Sequence, residues 1–110
     1  MARSEPPSAS PPGEAPAVTV HKEMGIDHSE FHRGLPLAMG GSAYHIDGNR
    51  IVHDEGGKRF EIVVEPEQVR RLGLVRIPVT PVTLRFQGYT AEERGAAVAR
   101  FERAYFRGGG

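Results

Sequence analysis

The sequence predicts an α+β domain in which two main helices lie on one face of a mostly antiparallel sheet of four or five strands, a two-layer arrangement. Three observations lead to this prediction. Residues 42–65 alternate apolar and polar side chains around two glycine-containing turns, which is typical of a three-stranded antiparallel meander. Residues 28–39 and 91–107 have helical periodicity, and each segment follows a capping motif. Alternating segments at residues 17–24 and 82–87 supply the remaining strands.

Length and composition limit the classes of protein that fit. The 110 residues, of which 38% are hydrophobic, suit one domain with one modest core. The absence of cysteine excludes disulfides, thiolate zinc sites and cysteine nucleophiles. The chain has no run of about 18 apolar residues that could cross a bilayer, and its first residues lack the apolar segment of a secretory signal. We therefore expect a soluble, cytoplasmic protein without membrane contact.

The two ends of the chain are predicted to lie outside the folded domain. Residues 1–16 contain five of the nine prolines together with Ser, Ala, Gly and Glu. Such a composition buries too little apolar surface to offset the entropy cost of ordering the chain. We interpret this segment as a disordered Pro-rich tail, residues 17–107 as a single α+β domain, and residues 108–110 as a flexible glycine tail.

Charge is balanced overall but uneven along the chain. The formal net charge is zero, with 14 basic and 14 acidic residues. Residues 58–110 hold ten basic and six acidic residues, whereas residues 18–57 hold three basic and six acidic residues. Proteins that bind nucleic acid concentrate basic residues on one surface. A mild basic excess spread over half of the chain is a poor match, so nucleic acid is not an expected partner.

The first predicted helix has the strongest local signal. Asp27 has the position of an N-cap, and Glu30 has that of its capping-box partner, for a helix from residue 28 to about residue 39. Pro36 removes a backbone donor and should bend the helix or tighten its last turn. The apolar stripe that should face the sheet consists of Phe31, Leu35, Ala38 and Met39.

Turn types set the register within the meander. A two-residue loop that includes Gly48 joins its first two strands. A four-residue loop over residues 54–57 joins its last two strands and sets Ile51 opposite Phe60. This register predicts which side chains share a face.

Alternation gives the meander one apolar and one mostly polar face. The apolar face carries Tyr44, Ile46, Ile51, His53, Phe60, Ile62 and Val64. The other face carries Ala43, His45, Arg50, Val52, Arg59, Glu61 and Val63. A three-residue first loop would instead invert the first strand, so the placement of His45 and His53 on opposite faces depends on the length of that loop.

The segment after the meander fits two interpretations. Residues 66–72 form either a short helix or the beginning of a strand that continues to Ile77. The residues beyond it are clearer, because Thr90 and Glu93 repeat the capping-box pattern for the last helix.

Histidine is the one residue type that suggests a metal site. His28 and His32 are four residues apart, which places both imidazoles on one side of a helix. His53 projects from the sheet face that this helix should cover, so three nitrogens could converge on a divalent metal such as zinc. The same histidines also fit ordinary structural positions. His28 would lie at the helix start, His32 at the core boundary and His53 at a strand end. A divalent metal is therefore an alternative hypothesis, and no other cofactor is expected.

Catalytic motifs are not found. Asp54 and Glu55 beside His53 are candidates for acid–base chemistry, as is Glu30 between two histidines. A polar hairpin loop explains the first pair, and the capping box explains Glu30. No serine-centred nucleophile elbow, phosphate loop or dinucleotide fingerprint occurs. We assign no catalytic residue and do not expect an enzyme.

Two functional hypotheses follow. The first is a small non-catalytic binding or protein-interaction domain that uses its polar sheet face for a protein partner or for self-association. Arginine suits such a surface, because its planar fork pairs with carboxylate or phosphate groups. The residues assigned to this face are His45, Arg50, Arg59 and Arg85. The second hypothesis is a binding site for a divalent metal or small ligand at His28, His32 and His53.

Overall fold

The computed structural model describes residues 17–105, which contain a six-stranded antiparallel sheet and three helices. The elements in chain order are β1 (Val18–Met24), α1 (His28–Arg33), α2 (Leu35–Ala38), β2 (His45–Asp47), β3 (Arg50–Glu55), β4 (Lys58–Val64), β5 (Gln68–Leu72), β6 (Val75–Gln87) and α3 (Ala91–Tyr105). The α+β class is confirmed, but the sheet has six strands instead of the predicted four or five. The predicted tails, residues 1–16 and 108–110, lie outside the described residues, as do residues 106–107 of the predicted last helix.

Every neighbouring strand pair is antiparallel, and the strand order is β1-β6-β4-β3-β2. The longest strand is β6, with 13 residues. Residues 80–87 of β6 lie between β1 and β4, whereas residues 75–79 pair with β5. The fifth strand and residues 75–79 therefore form a two-stranded ribbon beyond the main sheet. We call this ribbon, residues 68–79, the arm.

The segment after the meander is a strand and not a helix, but the strand ends at Leu72 and does not continue to Ile77 as the second interpretation expected. Leu72 pairs with Val75, so Gly73 and Leu74 form a two-residue hairpin turn. Gly73 has a φ of 63°, a value that such turns require and that glycine adopts without a steric cost. The extra strand explains why the observed sheet is larger than the predicted one.

The predicted helix over residues 28–39 is two short helices. Asp27 caps the first, because its side chain accepts a hydrogen bond of 2.8 Å from the backbone amide of Glu30. The break falls at Gly34, just before Pro36, whose ring nitrogen cannot continue the ladder of helical hydrogen bonds. A Cβ atom at Gly34 would lie 2.6 Å from the ring of Tyr105, so the glycine also lets α3 pack closely at the break.

The register of the meander differs from the prediction by two residues. The loop between β3 and β4 is Gly56-Gly57 alone, and Ile51 lies opposite Ile62 rather than Phe60. Both glycines have positive φ, 54° and 85°, which permits a tight two-residue turn where a four-residue loop was expected. A shift of two residues preserves the faces, because side chains alternate with a period of two.

The core joins one face of the sheet to the helices. Its sheet members alternate along β3, β4 and β6, and its helical members come from all three helices. They form one buried cluster that includes Ile51, Phe60, Ile62, Val64, Val82, Leu84 and Phe86 from the sheet and Phe31, Leu35, Ala38, Ala97, Phe101 and Ala104 from the helices. Within residues 17–105, no helix is long and apolar enough to cross a membrane.

The third helix begins with the predicted capping box. The amide of Thr90 donates to Oε1 of Glu93 at 2.9 Å, and the amide of Glu93 donates to the hydroxyl of Thr90 at 3.0 Å. These bonds satisfy two backbone donors that a helix start otherwise leaves free. The capping box thus fixes the residue at which α3 begins after β6.

Candidate binding surface on the outer sheet face

The side chains that alternate with the core residues of the sheet form a second face, which we call the outer face. Cross-strand pairing arranges its residues in rows. One row runs through Thr19, Arg85, Glu61, Val52 and His45. The next row runs through His21, Thr83, Val63, Arg50 and Asp47. The sheet thus places the predicted Arg50, Arg85 and His45 on one surface.

Glu61 is the centre of this surface. It is only 4% exposed, although it is charged and lies outside the core cluster. Its Oε2 accepts a hydrogen bond of 2.9 Å from Arg50, and its Oε1 accepts one of 3.2 Å from Arg85. A buried carboxylate is tolerated only when it is paired in this way. Glu61 therefore holds two guanidinium groups in fixed positions on the outer face.

Arg59 lies nearby in a more exposed ion pair. Its Nη1 lies 3.2 Å from Oδ2 of Asp54 on the neighbouring strand β3. Asp54 and Arg59 are direct cross-strand partners, and both side chains are roughly half exposed. An exposed pair of this kind contributes little to stability, so Arg59 can exchange partners at small cost.

The three predicted arginines line one shallow concavity of about 490 Å³. Its floor and rim also include the Gly56-Gly57 turn, and its charged residues are Arg50, Lys58, Arg59 and Arg85 with Asp54, Glu55 and Glu61. The side chain of Arg50 is 53% exposed and that of Arg85 is 25% exposed. Each guanidinium has five N–H donors, so the bonds to Glu61 leave donors available for a second anion.

His45 lies on the same face but apart from the arginines. It is exposed on the edge strand β2, opposite Val52, which separates it from Glu61 along the row. The structure therefore groups Arg50, Arg59 and Arg85 and places His45 at the margin. Glu61, which organises two of the arginines, was not among the predicted site residues. The sequence indicated only that Glu61 is an acidic residue on the polar face of a predicted central strand.

The structure does not bring the three candidate metal ligands together. Nε2 of His28 donates to the carbonyl of Glu65 at 2.9 Å, and Nδ1 of His53 donates to the carbonyl of Ala43. These bonds occupy one ring nitrogen of each histidine and leave the other, Nδ1 of His28 and Nε2 of His53, of which the latter lies 3.2 Å from Oε1 of Glu55. His32 is exposed and lies edge-on to the ring of Phe31. Among residues 17–105, no group of three or more His, Asp or Glu side chains is placed to hold a metal ion.

Three side chains on or beside α3 have shifted pKa values. Burial raises the pKa of Tyr89, against the nearby charge of Lys58, whose Nζ lies 4.9 Å from the centre of the tyrosine ring. The backbone amide of Thr90 lowers the pKa of Glu93 through the capping box, with help from Lys58. Burial also raises the pKa of Tyr105 well above its usual range. Packing and capping explain these three shifts without a catalytic role.

Comparison with known proteins gives no match: no protein-family model fits the chain, no curated protein is similar to it in sequence, and no solved structure is similar to it in fold.

Proposed function

We propose that this chain is a non-catalytic protein-interaction domain that binds an acidic segment of a protein partner on its outer sheet face. The observation that carries the proposal is the shared pairing of Arg50 and Arg85 with the buried Glu61. Two guanidinium groups held by one carboxylate have a net positive charge. They are also ordered before a partner arrives, which lowers the entropy cost of binding.

The arrangement of layers supports the same proposal. Helices on one face of an antiparallel sheet leave the opposite face for solvent or for a partner. In this proposal the three helices, whose apolar side chains share one buried cluster with the core residues of the sheet, cover that face and leave the outer face for a partner. In this proposal the helix layer has a structural role and the outer face is the binding surface.

The chemistry of the outer face favours a polar partner. Val52 is its most central apolar side chain and is already buried between its neighbours. An apolar patch of this size is too small to drive an obligate interface. Arginine pairs with carboxylates in a planar, bidentate geometry, and Arg59 can leave Asp54 for such a group. We therefore propose aspartate and glutamate side chains as the groups that the concavity receives.

The test is to capture partners on immobilised domain and to compare charge-reversal variants. Arg59→Glu changes an exposed ion pair, so it should keep the fold and weaken capture of the main partner. Arg50→Glu should weaken capture as well, but it also disturbs the buried Glu61, so its stability must be measured in parallel. The better probe is consequently Arg59→Glu.

A matched control is available on the helix layer. Arg33 and Arg103 are exposed, and within the described part of the chain neither has an ion pair. Arg33→Glu and Arg103→Glu change the net charge as Arg59→Glu does, but away from the outer face. Equal loss of capture in all three variants would show that only net charge matters and would contradict the proposal.

The metal hypothesis for His28, His32 and His53 stays a prediction, and it has its own test. Zinc should raise the melting temperature at neutral pH and less near pH 5, where imidazole is protonated. A His28→Ala/His32→Ala variant should lose this response. If zinc has no effect on the wild-type protein, or acts equally on the variant, the hypothesis is wrong.

A further inference from the structure

The arm is a second surface that the proposed function does not use. Every residue of β5 is exposed, and within residues 17–105 this strand pairs only with β6. A two-stranded ribbon is only marginally stable in water, because it has no third strand or helix to bury its side chains. The edge of β5 also presents unpaired backbone groups, to which another strand can bind.

The base of the arm is fixed to the rest of the domain. Arg70 forms an ion pair of 2.8 Å with Glu23 on β1. His28 reaches the connection between β4 and β5 twice, through its backbone amide to Glu67 at 3.0 Å and through its ring to the carbonyl of Glu65 at 2.9 Å. The exposed pair with Glu23 contributes little, so the two hydrogen bonds of His28 are the contacts that hold the base of the arm, while its distal half stays exposed. An edge whose base is held loses less entropy when a partner strand binds.

One side of the arm is apolar near the turn and carries Arg70, the cross-strand partner of Ile77, nearer the base. Leu72 and Val75 are cross-strand partners and each is 57% exposed, and the side chain of Leu74 at the turn is fully exposed. Ile77, two residues further along β6, lies on the same side and is partly buried. Large apolar side chains at the end of a ribbon favour a partner that covers them.

The opposite side of the arm is basic near the turn and carries Val69 and Pro78 nearer the base. Arg71 and Arg76 are direct cross-strand partners, and both are exposed. Neither has an ion pair with another residue in the described part of the chain. Like charges directly opposite each other destabilise a strand pair. An acidic side chain placed beside Arg71 would offset the repulsion and form charge-assisted hydrogen bonds.

The two edges of the arm are not equivalent. Pro78 interrupts the β6 edge, because proline has no N–H to donate to a neighbouring strand. The β5 edge contains no proline. A second copy of the same strand is a poor occupant of this edge, because antiparallel pairing of two β5 strands would bring Arg70 and Arg71 of each copy together.

We infer that the β5 edge binds an extended segment of a partner protein in which acidic and apolar side chains alternate. Alternate side chains of a strand point to opposite sides. On a segment paired with β5, the acidic side chains would lie on the side of Arg71 and Arg76, next to Arg71, and the apolar side chains would lie on the side of Leu72 and Val75, next to Leu72. Backbone hydrogen bonds to β5 supply affinity in this mode, and the alternation supplies specificity. The inference does not use the concavity around Glu61.

Fluorescence anisotropy with a labelled nine-residue peptide, SEVEIEVES, tests the inference on the full chain. The peptide should bind, and Arg71→Glu should weaken binding by about tenfold or more, because it turns an attractive contact into a repulsive one. Arg71→Glu also converts the repulsion with Arg76 into a cross-strand ion pair, so the arm should stay folded. Arg33→Glu, the same charge change on α1, should alter the affinity by less than about twofold.

A second peptide separates strand pairing from simple charge attraction. SEEEEVIVS has the same composition without the alternation, and it should bind about tenfold more weakly than SEVEIEVES. Equal affinity for the two peptides would show that charge alone is recognised and would overturn the inference. Failure of SEVEIEVES to bind, or tighter binding of duplex DNA through Arg71 than of this peptide, would overturn it as well. Because the proposed outer-face site also receives acidic groups, the peptide is measured on the Arg59→Glu variant as well, where Arg71→Glu should weaken binding by the same factor.

Discussion

The hydroxyl of Tyr105 donates a hydrogen bond of 2.6 Å to the backbone carbonyl of Phe31, and the two rings stack with their centres 5.4 Å apart. This contact connects the last turn of α3 to the short helix α1, across 74 residues of sequence. Gly34 lies against the same tyrosine ring, where a side chain would not fit. The two helices are thus attached to each other as well as to the sheet.

Tyr105→Phe should remove this hydrogen bond and keep the stacked ring, at a cost of about 1 kcal/mol in the free energy of unfolding at neutral pH. Burial raises the pKa of Tyr105 in the folded protein above its unfolded value, so the stabilising effect is complete below the unfolded pKa and is lost as the pH rises through the folded pKa. The difference between wild type and variant should therefore narrow above pH of about 10. Urea denaturation at neutral pH and above a pH of about 10 measures this difference in the free energy of unfolding. A difference that grows with pH would show that the hydroxyl is not held in this contact.

Gly34→Ala should destabilise the domain by about 1 to 3 kcal/mol, because the new Cβ atom would lie 2.6 Å from the ring of Tyr105 and would displace it. Gly95→Ala is the matched control. It lies within α3 with no atom near its Cβ position, and alanine favours a helix over glycine by about 0.5 to 1 kcal/mol. Thermal unfolding should show a lower melting temperature for Gly34→Ala and a higher one for Gly95→Ala than for the wild-type protein. The same sign for both would mean that Gly34 does not contact Tyr105.

Glu61→Gln should reduce stability by about 1 to 3 kcal/mol, because it leaves the guanidinium groups of Arg50 and Arg85 close together without their shared charge. Asp54→Asn is the matched control in the exposed pair with Arg59, and it should change stability by less than about 0.5 kcal/mol. Urea denaturation of both variants measures the two changes in the free energy of unfolding. Equal effects would show that Glu61 does not organise the outer face as we describe.

Local rules predicted much of the fold, and the exceptions have local causes. The caps at Asp27 and Thr90 were visible in the sequence, because capping needs only a short polar pattern. The loop length at Gly56-Gly57 was predicted wrongly, because two consecutive glycines permit either a two-residue or a longer turn. Pro36 predicted a bend in the first helix, whereas the close packing of Gly34 against the ring of Tyr105 is a contact too distant in sequence for a local rule to predict.

The candidate surface could be predicted in part. Alternation placed Arg50 and Arg59 on the polar face, and an error of two residues in the register did not change that face. The role of Glu61 could not be predicted, because it depends on β6 lying beside β4 and bringing Arg85 to the carboxylate. Strand order comes from long-range pairing, which a short sequence pattern does not encode.

Site-specific photo-crosslinking tests the central claim most directly. The photoreactive amino acid p-benzoylphenylalanine replaces Asp47, which is exposed on the outer face opposite Arg50, or replaces Arg103, which is exposed on α3. Our account predicts that irradiation joins the partner to the protein with the probe at position 47, that Arg59→Glu reduces this product, and that the probe at position 103 gives none. A crosslinked partner from position 103 and none from position 47 would place the interaction on the helix layer and contradict the account.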